Sequence, residues 1–177
     1  MKIYIIRHGE TNINVENRIN SLNDEDLNEE GIKQAENLRR NLKNIKYDLI
    51  ICSPLTRTRH TANLINVNNT NIIIDKRLIE RDAGVFTKKL INEVDINDWY
   101  SLEPKKDYKD AETVIHLIDR VYNFLNEIKE KYAGKNIILV THGGTSKALV
   151  SYFNGIPADG NLQIYKQKNC EILEYEL

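Results

Sequence analysis

IYIIRHGE, residues 3–10, runs four apolar residues, Ile3, Tyr4, Ile5 and Ile6, straight into an arginine, a histidine and a glycine. The apolar run has the length and β-branched character of a strand buried on both sides. A buried strand seldom ends on two adjacent cation-capable side chains unless something anionic meets them there. Gly9 then lets the backbone turn sharply or come close to a ligand. A surface turn with solvated charges satisfies the same letters, so the rest of the chain has to decide.

The bulk properties narrow the choice. A chain of 177 residues is long enough for one domain, here 1–177, with a real core. The formal net charge of −1 provides no global basic field, so neither nucleic acid nor a membrane surface is an expected partner. No stretch reaches the length of a membrane-spanning helix. Cys52 and Cys170 each sit in an apolar, strand-like setting, and buried free thiols are expected rather than a disulfide. MKIYIIRHGE is too short an apolar run for a signal-peptide core, so the cytoplasm is the expected location.

Working outward from the first strand, NINVENRINSLNDED reads as a long loop without a period, and loops of that length tend to be functional. Asn28 opens a helix whose apolar face is Ile32, Ala35, Leu38, Leu42 and Ile45. YDLIICS is a second buried strand, PLTRTRHTANLIN a second helix with Pro54 in its first turn, and NIIID a third strand. Residues 77–110 are irregular, with a short helix around KLINEVDINDWY. Asp110 is the expected cap of the next helix, which carries Val114, Leu117, Val121, Phe124 and Ile128 and closes near Gly134. NIILV is a fourth strand, followed by THGG and a helix that Gly155 and Pro157 end. NLQIYK and CEILEYEL read as two closing strands.

Alternating strands and helices predict an α/β domain with a mostly parallel central sheet and helices on both faces. The crevice of such a fold lies beyond the carboxyl ends of its strands. Arg7-His8, Ser53 and His142-Gly143-Gly144 each follow a predicted strand directly, so they belong on one edge. Together with Arg57 and Glu80 they suit a phosphoryl group. Guanidinium forks match phosphate oxygens, and a helix starting near Gly143 adds N–H groups. A neutral imidazole can attack phosphorus, and a carboxyl group can protonate the leaving alkoxide and then activate water. The arginines and a protonated His142 would balance the developing charge, so no metal or other cofactor is required.

RHGET at 7–11 resembles the signature of the histidine phosphatase superfamily, the phosphoglycerate mutase-like family. NRINSLNDEDLNEEGIKQA resembles that family's following loop and helix, SPLTRTRHTA its second arginine segment, LIERDAG its acid loop, AETVIHLIDRVYNFL its long helix, and VTHGGTSKALV its second histidine. The resemblance spans Lys2 to about Val150. It implies a phosphoglycerate mutase-like fold, a phosphohistidine at His8, Glu80 as general acid and base, and a metal-free phosphate pocket of Arg7, Arg57 and His142. It also implies a polar contact from Asn14. The sequence departs from the pattern at Ser21, where the family usually has glycine, and at VFTK, 85–88. The long insertion of glycolytic mutases before the second histidine is missing, which favours a phosphatase.

The remaining candidates read more plainly. His60 and His116 fall mid-helix as packing or surface residues, Thr11 as a pocket-rim hydroxyl, and Asp82 as the rival of Glu80. Lys88, Lys89, Lys105 and Lys106 beside Trp99, Tyr100 and Tyr108 are either a solvated face or a substrate-selecting cap. The expected activity is a metal-independent phosphomonoesterase acting on a small phosphorylated metabolite through phospho-His8. The alternatives are a phosphoglycerate mutase or a low-turnover phospho-ligand-binding regulator. Neither the substrate nor the oligomeric state follows from the sequence.

Overall fold

Five strands form one sheet in the order β3-β2-β4-β1-β5: β1 (Lys2–Arg7), β2 (Leu49–Cys52), β3 (Ile72–Ile74), β4 (Ile137–Thr141) and β5 (Ile172–Glu176). The computed structural model describes all 177 residues. β1 with β4, β2 with β4, and β2 with β3 pair in parallel, whereas β5 joins β1 antiparallel. β1 therefore lies between the last two strands of the chain.

Successive strand residues point to opposite faces, and here both faces are covered. Ile3 and Ile5 join one core with Ile51 and Leu139, while Tyr4 and Ile6 join the other with Ile50 and Val140. This is why the strands read as unbroken apolar runs. The helices are α1 (Asn12–Val15), α2 (Glu29–Leu42), α3 (Thr56–Ile65), α4 (Ile96–Trp99), α5 (Val114–Lys131) and α6 (Gly143–Asn154). α2 and α3 cover the second face through Ala35, Leu38, Leu42, Ala62 and Ile65. α5 and α6 cover the first through Leu117, Val121, Phe124, Leu125, Ala148 and Leu149. The mostly parallel sheet between two helical layers is the architecture expected from the sequence.

Four local expectations differ. The stretch after Thr11 begins with a short helix, α1, because Thr11 and Asn14 form a capping box. Thr113, not Asp110, caps α5: its side chain accepts from the His116 N–H, while Asp110 adopts a left-handed φ of 62°. NLQIYK makes no strand. β5 already occupies the free edge of β1, so this stretch turns instead to the 84–110 segment, with Leu162 donating to the Tyr100 carbonyl. Cys170 lies just outside β5 at φ 54°, donating its N–H to the Arg7 carbonyl; both cysteines are free thiols.

Gly9 is needed for close approach, but to protein rather than ligand. A Cβ there would stand 2.5 Å from the carbonyl oxygen of Gly31, and a Cβ on Gly31 would run into the Glu10 backbone. The two glycines let the start of α2 lie against the turn that carries His8. Residues 84–110 form a small cap with its own apolar cluster around Ala83, Val94 and Trp99. The cap leaves the body at Gly84 and returns at Asp110, both at positive φ and with their backbones in contact. No helix is long and apolar enough to cross a membrane.

Candidate active site

The ends of β1, β2 and β4 are held in line by their own backbones. The His8 N–H donates to the Thr141 carbonyl at 2.9 Å, and the Ser53 N–H to the Val140 carbonyl at 3.1 Å. His8 and His142 thereby face each other across neighbouring strands, with ring centroids 5.2 Å apart. His8 Nδ1 lies 2.7 Å from the Gly9 carbonyl, which can only accept, so Nδ1 carries the proton. His8 Nε2 is left with its lone pair and accepts from Arg57 Nε at 3.3 Å.

Arg57 sits at the centre of this corner, fully buried on α3. The same Nε reaches His142 Nδ1 at 3.2 Å, and the two terminal nitrogens donate to the Asn23 and Ser21 carbonyls at 2.6 and 2.9 Å. His142 consequently carries its proton on Nε2 and donates to Ser53 Oγ at 2.7 Å. Burial, together with the Arg57 and Arg7 guanidiniums, holds both imidazoles well below the usual histidine range. The protonated His142 anticipated from the sequence is thus not the form this arrangement favours. Burial also brings Arg57 down to about 10, which leaves it charged at neutral pH.

A cavity of about 650 Å³ opens over His8. Its wall includes Arg7, His8, Asn14 and Glu80, while Arg57 and His142 stand behind, outside the lining. Arg7 donates through Nη1 to the Gln167 carbonyl at 2.9 Å, and its buried Nε has no partner. Asn14 holds its Oδ1 against the Thr11 N–H and Asn169 Nδ2. Glu80 lies across the start of α6 and accepts from the N–H groups of Arg81, Gly144 and Thr145 at 2.8, 3.1 and 3.1 Å. α6 has no side-chain cap of its own, since His142 points into the site, so Glu80 serves as its N-terminal carboxylate. Gly144 makes room: a Cβ there would come 2.6 Å from Glu80 Oε1. Asp82 turns away to hold the Gly84 N–H. His60 and His116 pair with Asp26 and Glu112, outside the cavity lining.

The chemistry of these donors fits a phosphoryl group, and comparison with known proteins gives the same answer. A family model of the histidine phosphatase superfamily (branch 1) matches residues 3–177. The chain belongs to the histidine phosphatase superfamily. Among other histidine phosphatase superfamily proteins and similar structures, it is 30% identical to phosphoserine phosphatase 1 of Hydrogenobacter thermophilus, over 88% of this chain and 77% of that protein. It is 32% identical to a probable phosphoglycerate mutase GpmB of Klebsiella pneumoniae, over 97% and 83%. The α-ribazole phosphatase structure from Shigella flexneri superposes with a TM-score of 0.85 at 26% identity, covering 100% of this chain and 91% of that one. As a member of this superfamily the protein is an enzyme of phosphatase or phosphomutase type.

Several cavity residues escaped the sequence reading. The cap sends Ile91 and Ile96 into the wall beside Trp99 and Tyr100, the two aromatics already singled out in the sequence, whereas Lys88, Lys89, Lys105 and Lys106 are exposed and outside it. The four lysines form a solvated face, while other residues of the same segment line the cavity. Arg81 is buried with its guanidinium 4.2 Å from the Trp99 ring and donates to the Trp99 and Glu112 carbonyls. Gln167 and Asn169 brace β1 from the C-terminal segment, donating to the Ile5 and His8 carbonyls. Lys147 faces the cavity from α6. Its one legible signal was a lone charge in a helix of small and apolar residues.

Proposed function

We propose that the protein is a metal-independent phosphomonoesterase that hydrolyses a small phosphorylated metabolite through a phosphohistidine at His8. The observation that carries this reading is the fixed tautomer of His8, with Nδ1–H tied to the Gly9 carbonyl and Nε2 unprotonated beside Arg57. Nε2 attacks phosphorus in line, the N–P bond forms, and the ester P–O bond breaks. Glu80, on the same cavity wall, accepts a proton from solvent as the substrate enters and passes it to the departing alkoxide. Water then gives a proton back to Glu80 and attacks phosphorus, the N–P bond breaks, and phosphate leaves.

Arg7 and Arg57 supply charge to the transferred group, Arg7 through its unpartnered Nε and Arg57 by exchanging an imidazole contact for a phosphate oxygen. An incoming dianion also compensates the charge that burial denies to His142, which can then donate to a phosphate oxygen. Asn14 adds its amide nitrogen, because its oxygen is already occupied. The likeness to phosphatases supports hydrolysis. The likeness to a probable mutase keeps transfer to a second hydroxyl as the rival outcome.

The test is phosphate release from a panel of phosphomonoesters in excess EDTA, for wild type and His8→Ala. EDTA-resistant turnover that disappears in a folded His8→Ala protein is the expected result. Normal turnover in that variant would remove the mechanism. Activity only with a bisphosphorylated primer would identify a mutase, and tight ligand retention without phosphate release a binding protein.

A further inference from the structure

Arg81, the residue after the acid, is 5% exposed in the cavity wall, and the reaction gives it no part. Its Nε donates to the Glu112 carbonyl at 2.7 Å and its Nη1 to the Trp99 carbonyl at 2.5 Å. The guanidinium also lies 4.2 Å from the centre of the Trp99 ring and 5.7 Å from that of Tyr100. None of these partners is a carboxylate. Carbonyl dipoles and ring faces offset the cost of burying a guanidinium only while all of them stay in place.

The partners sit at both ends of the cap's attachment. Trp99 belongs to the apolar cluster of the cap, and Glu112 follows directly on its return to the body at Asp110. The Glu112 N–H donates to the Asp82 carbonyl at 2.9 Å, and its carboxylate accepts from Arg120 on α5 at 2.6 and 2.9 Å. One side chain therefore gathers the cap's inner edge and its return strand against the residue beside Glu80. The Arg81 N–H completes the link, donating to Glu80 Oε1 at 2.8 Å. On the other side, a Cβ on Gly144 would lie 2.6 Å from Glu80 Oε1 and 3.1 Å from the Tyr100 hydroxyl. Acid and cap thus border the same small space at the start of α6.

We propose that Arg81 is a positioning residue whose side chain couples the seating of the cap to the placement of Glu80. The carboxylate is aimed only while the Trp99-Tyr100 edge is docked, and Arg81 itself moves no proton. The effect on turnover rests on the reading of Glu80 as the general acid; the effect on structure does not.

The experiment compares benzyl phosphate with p-nitrophenyl phosphate, esters of similar size, in wild type, Arg81→Met, Arg81→Lys and Glu80→Gln. The benzyl alkoxide needs a proton as it leaves, whereas p-nitrophenolate leaves without one, so a misaimed acid penalises the first. In Arg81→Met, kcat/KM for benzyl phosphate should fall at least about tenfold more than for p-nitrophenyl phosphate, because a shift of about 1 Å in a positioned group costs that much or more. Arg81→Lys should recover part of the difference, and Glu80→Gln should show the same selective loss. Equal losses on both esters in Arg81→Met, beside a selective loss in Glu80→Gln, would overturn the coupling and leave the acid standing. Equal losses in both variants would instead remove Glu80 as the acid, and hydrogen exchange then decides the coupling. In Arg81→Met the Gly144 and Thr145 amides, held by Glu80, and the Leu162 amide, held by the Tyr100 carbonyl, should exchange at least about fivefold faster relative to the amides of β4. Faster exchange there supports the coupling even if no ester is hydrolysed, and unchanged exchange at Gly144 and Thr145 rejects it even if the variant is slow. Should Arg81→Met fail to fold, Arg81→Lys carries both measurements.

Discussion

Ser21 adopts a φ of 50°, a left-handed conformation that glycine takes without strain. The serine is held there by its hydroxyl, which accepts from the Ala83 N–H at 2.8 Å, while its carbonyl accepts from Arg57. Ser21 thus takes a conformation open to glycine and ties the Arg57 side of the site to the segment that carries Glu80. Arg57 itself was legible from its place in SPLTR, but its four hydrogen bonds to two imidazoles and two carbonyls were not, because those partners come from three distant segments. Arg57→Ala should cost roughly 3–4 kcal/mol of transition-state stabilisation, on the scale of one lost oxyanion donor. Steady-state kinetics checks this, and an unchanged kcat/KM would mean that Arg57 serves the loop alone. Gly144→Ala puts a methyl group 2.6 Å from Glu80 Oε1, in the space the carboxylate needs. Turnover should fall at least about tenfold, the low end of what a positioned proton donor contributes. Near-wild-type turnover in that variant would show that the position of Glu80 does not matter to the rate.

At the level of elements, the strands and the long helices were readable because local period and tertiary burial agree. Val114, Leu117, Val121, Phe124 and Ile128 lie on one face of α5 and all are buried. What failed were the ends and the short pieces, where one hydrogen bond from elsewhere outweighs local preference. Asp110 and Thr113 are both good caps by type, but only Thr113 has extended backbone beside the first turn. Thr113→Ala should cost about 1 kcal/mol in chemical denaturation, the usual value of a lost N-cap, and Asp110→Ala much less. The reverse order would mean that α5 begins elsewhere. The carboxylate at the start of α6 was also hidden, since Glu80 is 64 residues from the Gly144 N–H it accepts from. A helix that opens on His-Gly-Gly, with no acid in its first turn, was the available clue.

Across the whole molecule, the near-zero total of charge conceals where charge is placed: a chain of net −1 buries Arg57, Arg81 and Lys147 around one cavity and keeps two imidazoles neutral. The neutral histidines link stability to pH. As pH falls through the ordinary value of 6.5, the unfolded chain takes up protons at His8 and His142 that the native protein refuses, so stability declines on the acid side and is regained as pH rises. Each histidine contributes a slope of up to about 1.4 kcal/mol per pH unit until its native value is reached. Urea denaturation from about pH 7 down to about pH 5.5 should record the decline, with a shallower slope in His142→Gln. A flat profile would contradict neutral burial.

The place of β1 between β4 and β5 also bears on synthesis. The strand leading to His8 precedes in the chain both strands that flank it, with β2, β3 and the helices α1 to α5 made in between. Until those arrive, the histidine has no His142 opposite it, no α6 to align Glu80, and no Gln167 or Asn169 bracing its strand. A chain interrupted before β5 therefore lacks the pairing and bracing around His8, and the proposed phosphoryl chemistry has no geometry to rest on until both flanking strands are in place.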